Sequence, residues 1–293
     1  IVIEAYMTDL FFSNLQEREI QYNARNSVAD FDACMKEYAR LAQKSKDAIT
    51  GLYNLHYGLA RRETLDIFPA KKQPSSIFIY IHGGYWRAQS KDDACSMAEN
   101  FVAHGIAVST IEYSLCPQAS LFEIVREVRT SIAWIYHNAK NYGIDPEQIY
   151  IGGSSAGGHL VAMLWNDCWQ EEFNLPKNVI KGVLGLSGLY NLLPLCDTNI
   201  NEWLKLSPEQ ATNLSPYENL PLPENAAPLI LSVGELETEG FKNQTNFFYS
   251  ICKEKGLNVS LIKDEGHNHF DIVNTLADKD SLLFKKMYEI ISD

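Results

Sequence analysis

The feature that most constrains this chain is a regular alternation of short apolar runs with longer amphipathic stretches from about residue 63 to the end. "SSIFIYIHGG", "IAVSTIEYSL", "QIYIGG", "IKGVLGLSG" and "PLILSVG" are rich in β-branched and aromatic residues and apolar at successive positions. Each suits a strand covered on both faces, as in a parallel sheet. Between them, "KDDACSMAENFVAHG", "FEIVREVRTSIAWIYHNAKNYG", "SAGGHLVAMLW" and "FKNQTNFFYSICKEKG" read as helices. Gly105 closes the first of these. In the second, Val125, Val128, Ile132 and Ile135 form one apolar stripe, with Glu123, Arg126, Glu127 and Arg129 mostly off it. "ETLDIFPA" at the start, and "NVSLIKD" and "SLLFKKMYEIIS" at the end, complete the series. Such a rhythm predicts an α/β chain with a doubly wound, mostly parallel sheet and helices on both faces.

Residues 30–50 also read as a helix, with Phe31, Met35, Tyr38, Leu41 and Ala42 at spacings of three and four. Residues 1–60 are expected to form an N-terminal helical segment. Residues 190–227 are rich in Asn, Pro and Leu and lie between two strands. They are expected to be an irregular insertion near the active site. All 293 residues are read as a single domain.

Charge narrows the function. The formal net charge is −12, which offers no electrostatic footprint for nucleic acid or an anionic membrane. Hydrophobic residues make up 46% of the chain, enough for a large core, yet no run is long enough to span a bilayer. "IVIEAYMTDLFF" lacks a basic stretch and carries Glu4 and Asp9, so it does not read as a signal peptide. The six cysteines are scattered with no C-x-x-C, which suits reduced thiols and a cytoplasmic location. The expected partner is a small molecule, with a second copy of the chain, as a homodimer, a further expectation.

The chemistry concentrates in "YIGGSSAGGHL". A strand enters and a helix leaves, and the turn reads G-x-S-x-G with Ser155 at its centre. This is the pattern of a nucleophile elbow. Gly153 and Gly157 flank Ser155 symmetrically, whereas Ser154 has Gly152 and Ala156 at the same offsets. Ser155 also stands at the helix N-terminus, where the dipole favours developing negative charge. "HGGYW", residues 82–86, follows an earlier buried strand. Glycines there let the backbone approach a substrate and aim N–H groups at an oxyanion. The expected donors are the amides of Gly84 and Tyr85, with Gly83, and of Ala156 just after the nucleophile. His82 is expected to hold the loop rather than to act as a base.

A serine hydrolase of this kind carries its acid and base later in the chain, in that order. "PLILSVGELETEG" offers Glu235 and Glu237; "DEGHNHFDIV" offers His267 and His269. Spacing does not choose within either pair. His267, His269 and Asp271 could also be drawn as a metal cluster, but no second group of ligand spacing accompanies them. The reading therefore implies no cofactor and no metal. Trp86, Tyr113 and Tyr190 are candidates for lining an aromatic substrate pocket, although each taken alone suits a core position equally.

"HGGYWRAQSKDDACSM", "GGSSAGGHLVAML", "GLSGLYNLLPL", "VGELETEGFKNQT" and "GHNHFDIVNTL" together resemble the animal-type kynurenine formamidases, or arylformamidases. These are serine hydrolases of the α/β-hydrolase fold, related to the hormone-sensitive-lipase-like esterases. The resemblance runs from about Gln21 onward. It implies removal of a formyl group from an aryl formamide, N-formyl-L-kynurenine being the family substrate. A carboxylesterase acting on small acyl esters is the alternative. In the family the acid follows V-G-x-x and the base precedes F-D-[IL]. The resemblance thus implies Glu237 and His269 as partners of Ser155. Two departures stand out: the family acid is usually Asp, and Ser154 occupies a place where His is common.

Overall fold

The computed structural model describes the backbone of residues 2–293 and the side chains of residues 7–293. Eight strands, β1 (Leu52–His56), β2 (Thr64–Phe68), β3 (Ser75–Ile81), β4 (Ala107–Ile111), β5 (Ile144–Ser154), β6 (Ile180–Leu186), β7 (Leu229–Gly234) and β8 (Val259–Asp264), form one sheet. Their order is β1-β2-β4-β3-β5-β6-β7-β8. β1 and β2 pair antiparallel, as do β2 and β4; the strands from β4 through β3 to β8 are all parallel.

The helices are α1 (Val2–Phe11), α2 (Leu15–Gln21), α3 (Phe31–Ala48), α4 (Ala98–Ala103), α5 (Leu121–Asn138), α6 (Ala156–Trp165), α7 (Asn201–Leu204), α8 (Pro208–Asn213), α9 (Glu239–Glu254) and α10 (Leu282–Ser292). Successive residues of a strand face opposite sides of the sheet, and β3 shows the consequence. Ile77, Ile79 and Ile81 enter one core with Ile124 and Val125 of α5, Leu160 of α6 and Phe248 of α9. Phe78 and Tyr80 enter the other with Ala42 of α3, Phe101 of α4 and Phe284 of α10. This is the doubly wound sheet expected from the sequence, in the α/β-hydrolase arrangement. None of the described helices is long and apolar enough to cross a membrane.

Three expectations need correction. The N-terminal helical segment expected over residues 1–60 starts on a residue outside the described ones. Its helices end at Ala48, and residues 52–56 are edge strand β1, mostly exposed, with a register irregularity between Leu52 and Leu55. The helix expected from Lys91 begins at Ala98. Its first turn is diverted because Lys91 is buried in an ion pair with Asp66 of β2 at 2.9 Å. That contact holds residues 91–93 in a single 3-10 turn. The stretch 190–227 carries α7, α8 and two 3-10 turns, Leu193–Leu195 and Pro216–Glu218. Both α8 and α5 start on complete Ser-Gln or Ser-Glu capping boxes.

Candidate active site

β5 ends at Ser154 and α6 starts at Ala156, so Ser155 occupies the sharp turn between them, with φ 59° and ψ −119°. A non-glycine residue held there stores about 1–3 kcal/mol. Neighbouring backbone holds it: the Ser155 amide donates to Leu186 O at 2.9 Å, and its carbonyl accepts from the His159 amide at 3.1 Å. The flanking glycines are sterically required. A Cβ on Gly157 would fall 2.0 Å from Ile81 O, and one on Gly153 would fall 2.4 Å from Gly157 O. The glycine register thus centres on Ser155, while Ser154 closes the strand and interacts with the Tyr80 phenol, which burial pushes up.

The loop after β3 lies against this elbow. A Cβ on Gly83 would meet Ser154 O at 2.9 Å and Ser155 Cβ at 3.1 Å. Gly84, Tyr85 and Trp86 all have positive φ, at 100°, 49° and 57°, and the amides of Arg87 and Ala88 both donate to Gly84 O at 3.0 Å. Among the described residues the amides of Gly83, Gly84, Tyr85 and Ala156 make no hydrogen bond to the protein. His82 holds the loop, as expected. It contacts Gly83 O through Nδ1 at 2.8 Å and Glu112 through Nε2 at 3.1 Å, and its ring stacks on Tyr113 at 4.3 Å. Glu112 is itself bridged to Arg62 at 2.7 Å. Burial pushes the Glu112 carboxyl up, but the His82 hydrogen bond and the nearby charges of His82 and Arg62 outweigh it and hold the group below its usual value.

The ambiguous pairs separate cleanly. Glu237 Oε2 accepts from Nδ1 of His269 at 2.6 Å, with side chains 0% and 3% exposed. Oε1 of Glu237 accepts from the Ser187 hydroxyl and from the Gly234 amide, the latter at 2.8 Å. Glu235 is exposed and accepts instead from the Gly266 amide at 2.8 Å. His267 pairs with Asp264 at 2.8 Å, and Asp271 accepts from the Asn268 amide at 2.7 Å and its side chain at 3.1 Å. Residues 267, 269 and 271 thus turn to three different partners. Phe241 and Phe270 pack on the His269 ring at 4.2 and 5.2 Å.

Glu237 folds back over its own turn. Its amide donates to Gly234 O at 3.1 Å while its carboxylate takes the Gly234 amide. A Cβ on Gly234 would sit 2.4 Å from His267 O, so this glycine lets the end of β7 close on the histidine loop.

Ser155 and His269 line one cavity of about 410 Å³, together with Ser154, His82, Gly83, Gly84 and Tyr85. The aromatic lining expected of Trp86, Tyr113 and Tyr190 is not found, since all three are 0% exposed and outside that wall. Trp86 donates from Nε1 to His159 at 3.2 Å. Tyr113 donates to His82 O at 2.8 Å. Tyr190 stacks on Phe248 at 4.3 Å. Large amphipathic rings near a sheet edge bury themselves when the polar tip finds a partner or the ring finds another ring. The cavity instead takes Tyr22, Asn23 and Arg25 from beyond α2, Phe31 and Tyr38 from α3, and Trp203 from α7. No local sequence pattern marks those residues. Ser187 has only one local mark, its position at the end of a buried strand in "GLSG".

The BD-FAE family matches residues 65–229. The kynurenine formamidase of Danio rerio is 30% identical, with 97% of this chain and 99% of that protein aligned. That of Salmo salar is 30% identical over 84% of this chain and 85% of its own length. Among solved structures, a candidate thioesterase from Silicibacter sp. TM1040 superposes with a TM-score of 0.81 at 27% identity, covering 94% of this chain and 99% of that one.

Proposed function

Because the chain belongs to the kynurenine formamidase family of α/β-hydrolases, we propose that this hydrolase removes the formyl group of an aryl formamide, N-formyl-L-kynurenine, giving L-kynurenine and formate. The observation that carries the reading is the buried 2.6 Å Glu237–His269 pair beside the cavity that Ser155 lines.

In this mechanism Ser155 Oγ attacks the formyl carbon while His269 Nε2 takes its proton. The His269 Nδ1–H stays bonded to Glu237, which fixes the tautomer and stabilises the imidazolium. The amides of Gly83, Gly84, Tyr85 and Ala156 are the oxyanion donors. Collapse of the tetrahedral intermediate breaks the C–N bond, and His269 returns the proton to the departing aniline nitrogen. Water, deprotonated by His269, then attacks the formyl ester of Ser155 and releases formate. Every step uses side chains, backbone amides and water.

A second reading keeps the centre and changes the substrate to a small acyl ester. The likeness to the Silicibacter candidate thioesterase favours it. The deciding experiment is a side-by-side measurement of kcat/KM on N-formyl-kynurenine and on formyl, acetyl and butyryl aryl esters. A preference for the formamide supports the first reading. Turnover of the esters with none of the formamide overturns it.

A further inference from the structure

We propose that Arg25 and Arg87 recognise a carboxylate on the leaving-group side of the substrate. The proposal rests on Ser155 and His269 being the reacting centre, but not on whether the scissile bond is an amide or an ester.

In an acidic chain most buried or half-buried cations have acidic partners. Arg18 pairs with Asp197 at 2.6 Å, Arg62 with Glu112 at 2.7 Å and Lys91 with Asp66 at 2.9 Å. Arg25 and Arg87 are exposed side chains at the cavity and carry no such partner among the described residues. Both line the cavity with Ser155, and among the described residues neither guanidinium makes an ion pair or a hydrogen bond. Each lies over an aromatic ring of the same wall: Arg25 over Phe31 at 4.6 Å, and Arg87 over Trp203 at 4.1 Å. Stacking fixes the plane of a guanidinium while leaving the in-plane N–H fork free, and that fork matches a carboxylate.

Placement assigns the leaving-group side. Phe31, beneath Arg25, packs on Phe270 at 5.3 Å, and Phe270 packs on His269 at 5.2 Å. His269 is the group that protonates the departing atom. Arg87 follows the oxyanion loop by one tight turn, and the Trp203 beneath it donates to Tyr85 O at 3.0 Å. Arg25 is thus linked to His269 through two ring contacts, and Arg87 to the Tyr85 end of the loop through Trp203, in the wall of one cavity. Glu19 and Asp93 line the same cavity. Glu19 Oε1 accepts from the Asn199 amide at 2.7 Å, leaving its other oxygen for a cation. A cavity carrying both signs suits a leaving group that bears an ammonium beside its carboxylate.

The test uses a matched pair of aryl acetates, one bearing a carboxymethyl group on the ring and the other the neutral carboxamide. The wild-type protein should favour the carboxylate. Arg25→Gln combined with Arg87→Gln should raise KM for the carboxylate by about 10- to 100-fold, the loss expected for charge-assisted hydrogen bonds. Turnover, and both constants for the carboxamide, should stay within about twofold. Equal effects on the two esters, no effect on either, or a wild-type preference for the carboxamide would overturn the proposal. N-formyl-kynurenine is assayed in parallel. Failure to cleave it would sink the formamidase reading while the ester pair still reports on the arginines.

Discussion

The Ser187 hydroxyl donates to Oε1 of Glu237, on the far side of the carboxylate from His269. Ser187 does not line the cavity, so any effect of its loss on turnover is expected to pass through Glu237. Replacing it with Ala removes one of three hydrogen bonds that orient the carboxylate. A hydrogen bond to a charged group is worth about 1.5–3 kcal/mol. Ser187→Ala should therefore lower kcat by about tenfold or more and leave KM nearly unchanged. Steady-state kinetics check this; a rise in KM at constant kcat would show that Ser187 does not act through Glu237.

Ser155→Ala should abolish turnover, by on the order of 10⁶-fold, leaving only what oxyanion stabilisation and binding supply. Ser154→Ala should keep most of it. A fluorophosphonate should label Ser155 alone, read by peptide mass spectrometry. Labelling of Ser154 would overturn the assignment.

Glu237→Gln should cut kcat by up to about 10⁴-fold, because His269 loses the partner that fixes its tautomer and supports its charge. Glu235→Gln, on an exposed side chain bonded to Gly266, should be nearly silent. His267→Ala should likewise be mild beside His269→Ala. Kinetics on the four variants decide; a crippled Glu235→Gln with an active Glu237→Gln would reverse the acid assignment.

His159 gives a pH prediction. Burial lowers its pKa from 6.5 to about 4, against the opposing effect of its bond to Leu214 O. Unfolding frees the ring to protonate. Between those two values the unfolded chain binds the extra proton, so the penalty from this residue grows as pH falls through the window. At about pH 5 it amounts to about 2 kcal/mol relative to about pH 7.5. His159→Gln removes the titration while keeping a donor and an acceptor. Urea unfolding should show that the wild type loses about 2 kcal/mol more than this variant between those conditions. Equal losses would contradict the assignment.

The parts of the molecule legible in the sequence are those whose chemistry is local. The elbow was readable because Gly153 and Gly157 meet backbone a few residues away in the fold's obligatory strand–turn–helix. The buried strands were readable because both faces are covered. Edge strand β1 was not: four of its five residues are exposed, so no apolar run marks it. The diverted helix at Lys91 depends on Asp66, a partner in another strand. The fate of Trp86, Tyr113 and Tyr190 depended on which rings and carbonyls tertiary packing brought near, and the choice of Glu237 over Glu235 on which carboxylate the histidine loop faces.

The residues that face a substrate come from two unlike sources. Ser155 and His269 hang from the ends of the sheet, whereas Tyr22, Asn23, Arg25 and Phe31 come from the stretch ahead of β1. That stretch lies outside the matched BD-FAE region, as do Glu237 and His269, and is fastened by side-chain bonds, such as Thr238 to Gln21 O at 2.5 Å and Gln244 to Tyr22 at 3.2 Å, and by burial of Tyr22 and Ala42 in the two cores. Mutation at Asn23 or Arg25 can therefore rewrite part of this wall, whereas Phe31 is coupled to His269 through Phe270. Substrate range and hydrolytic competence can diverge independently in descendants of such a scaffold, and grafting the first fifty or so residues between relatives is a direct route to exchanging one specificity for another.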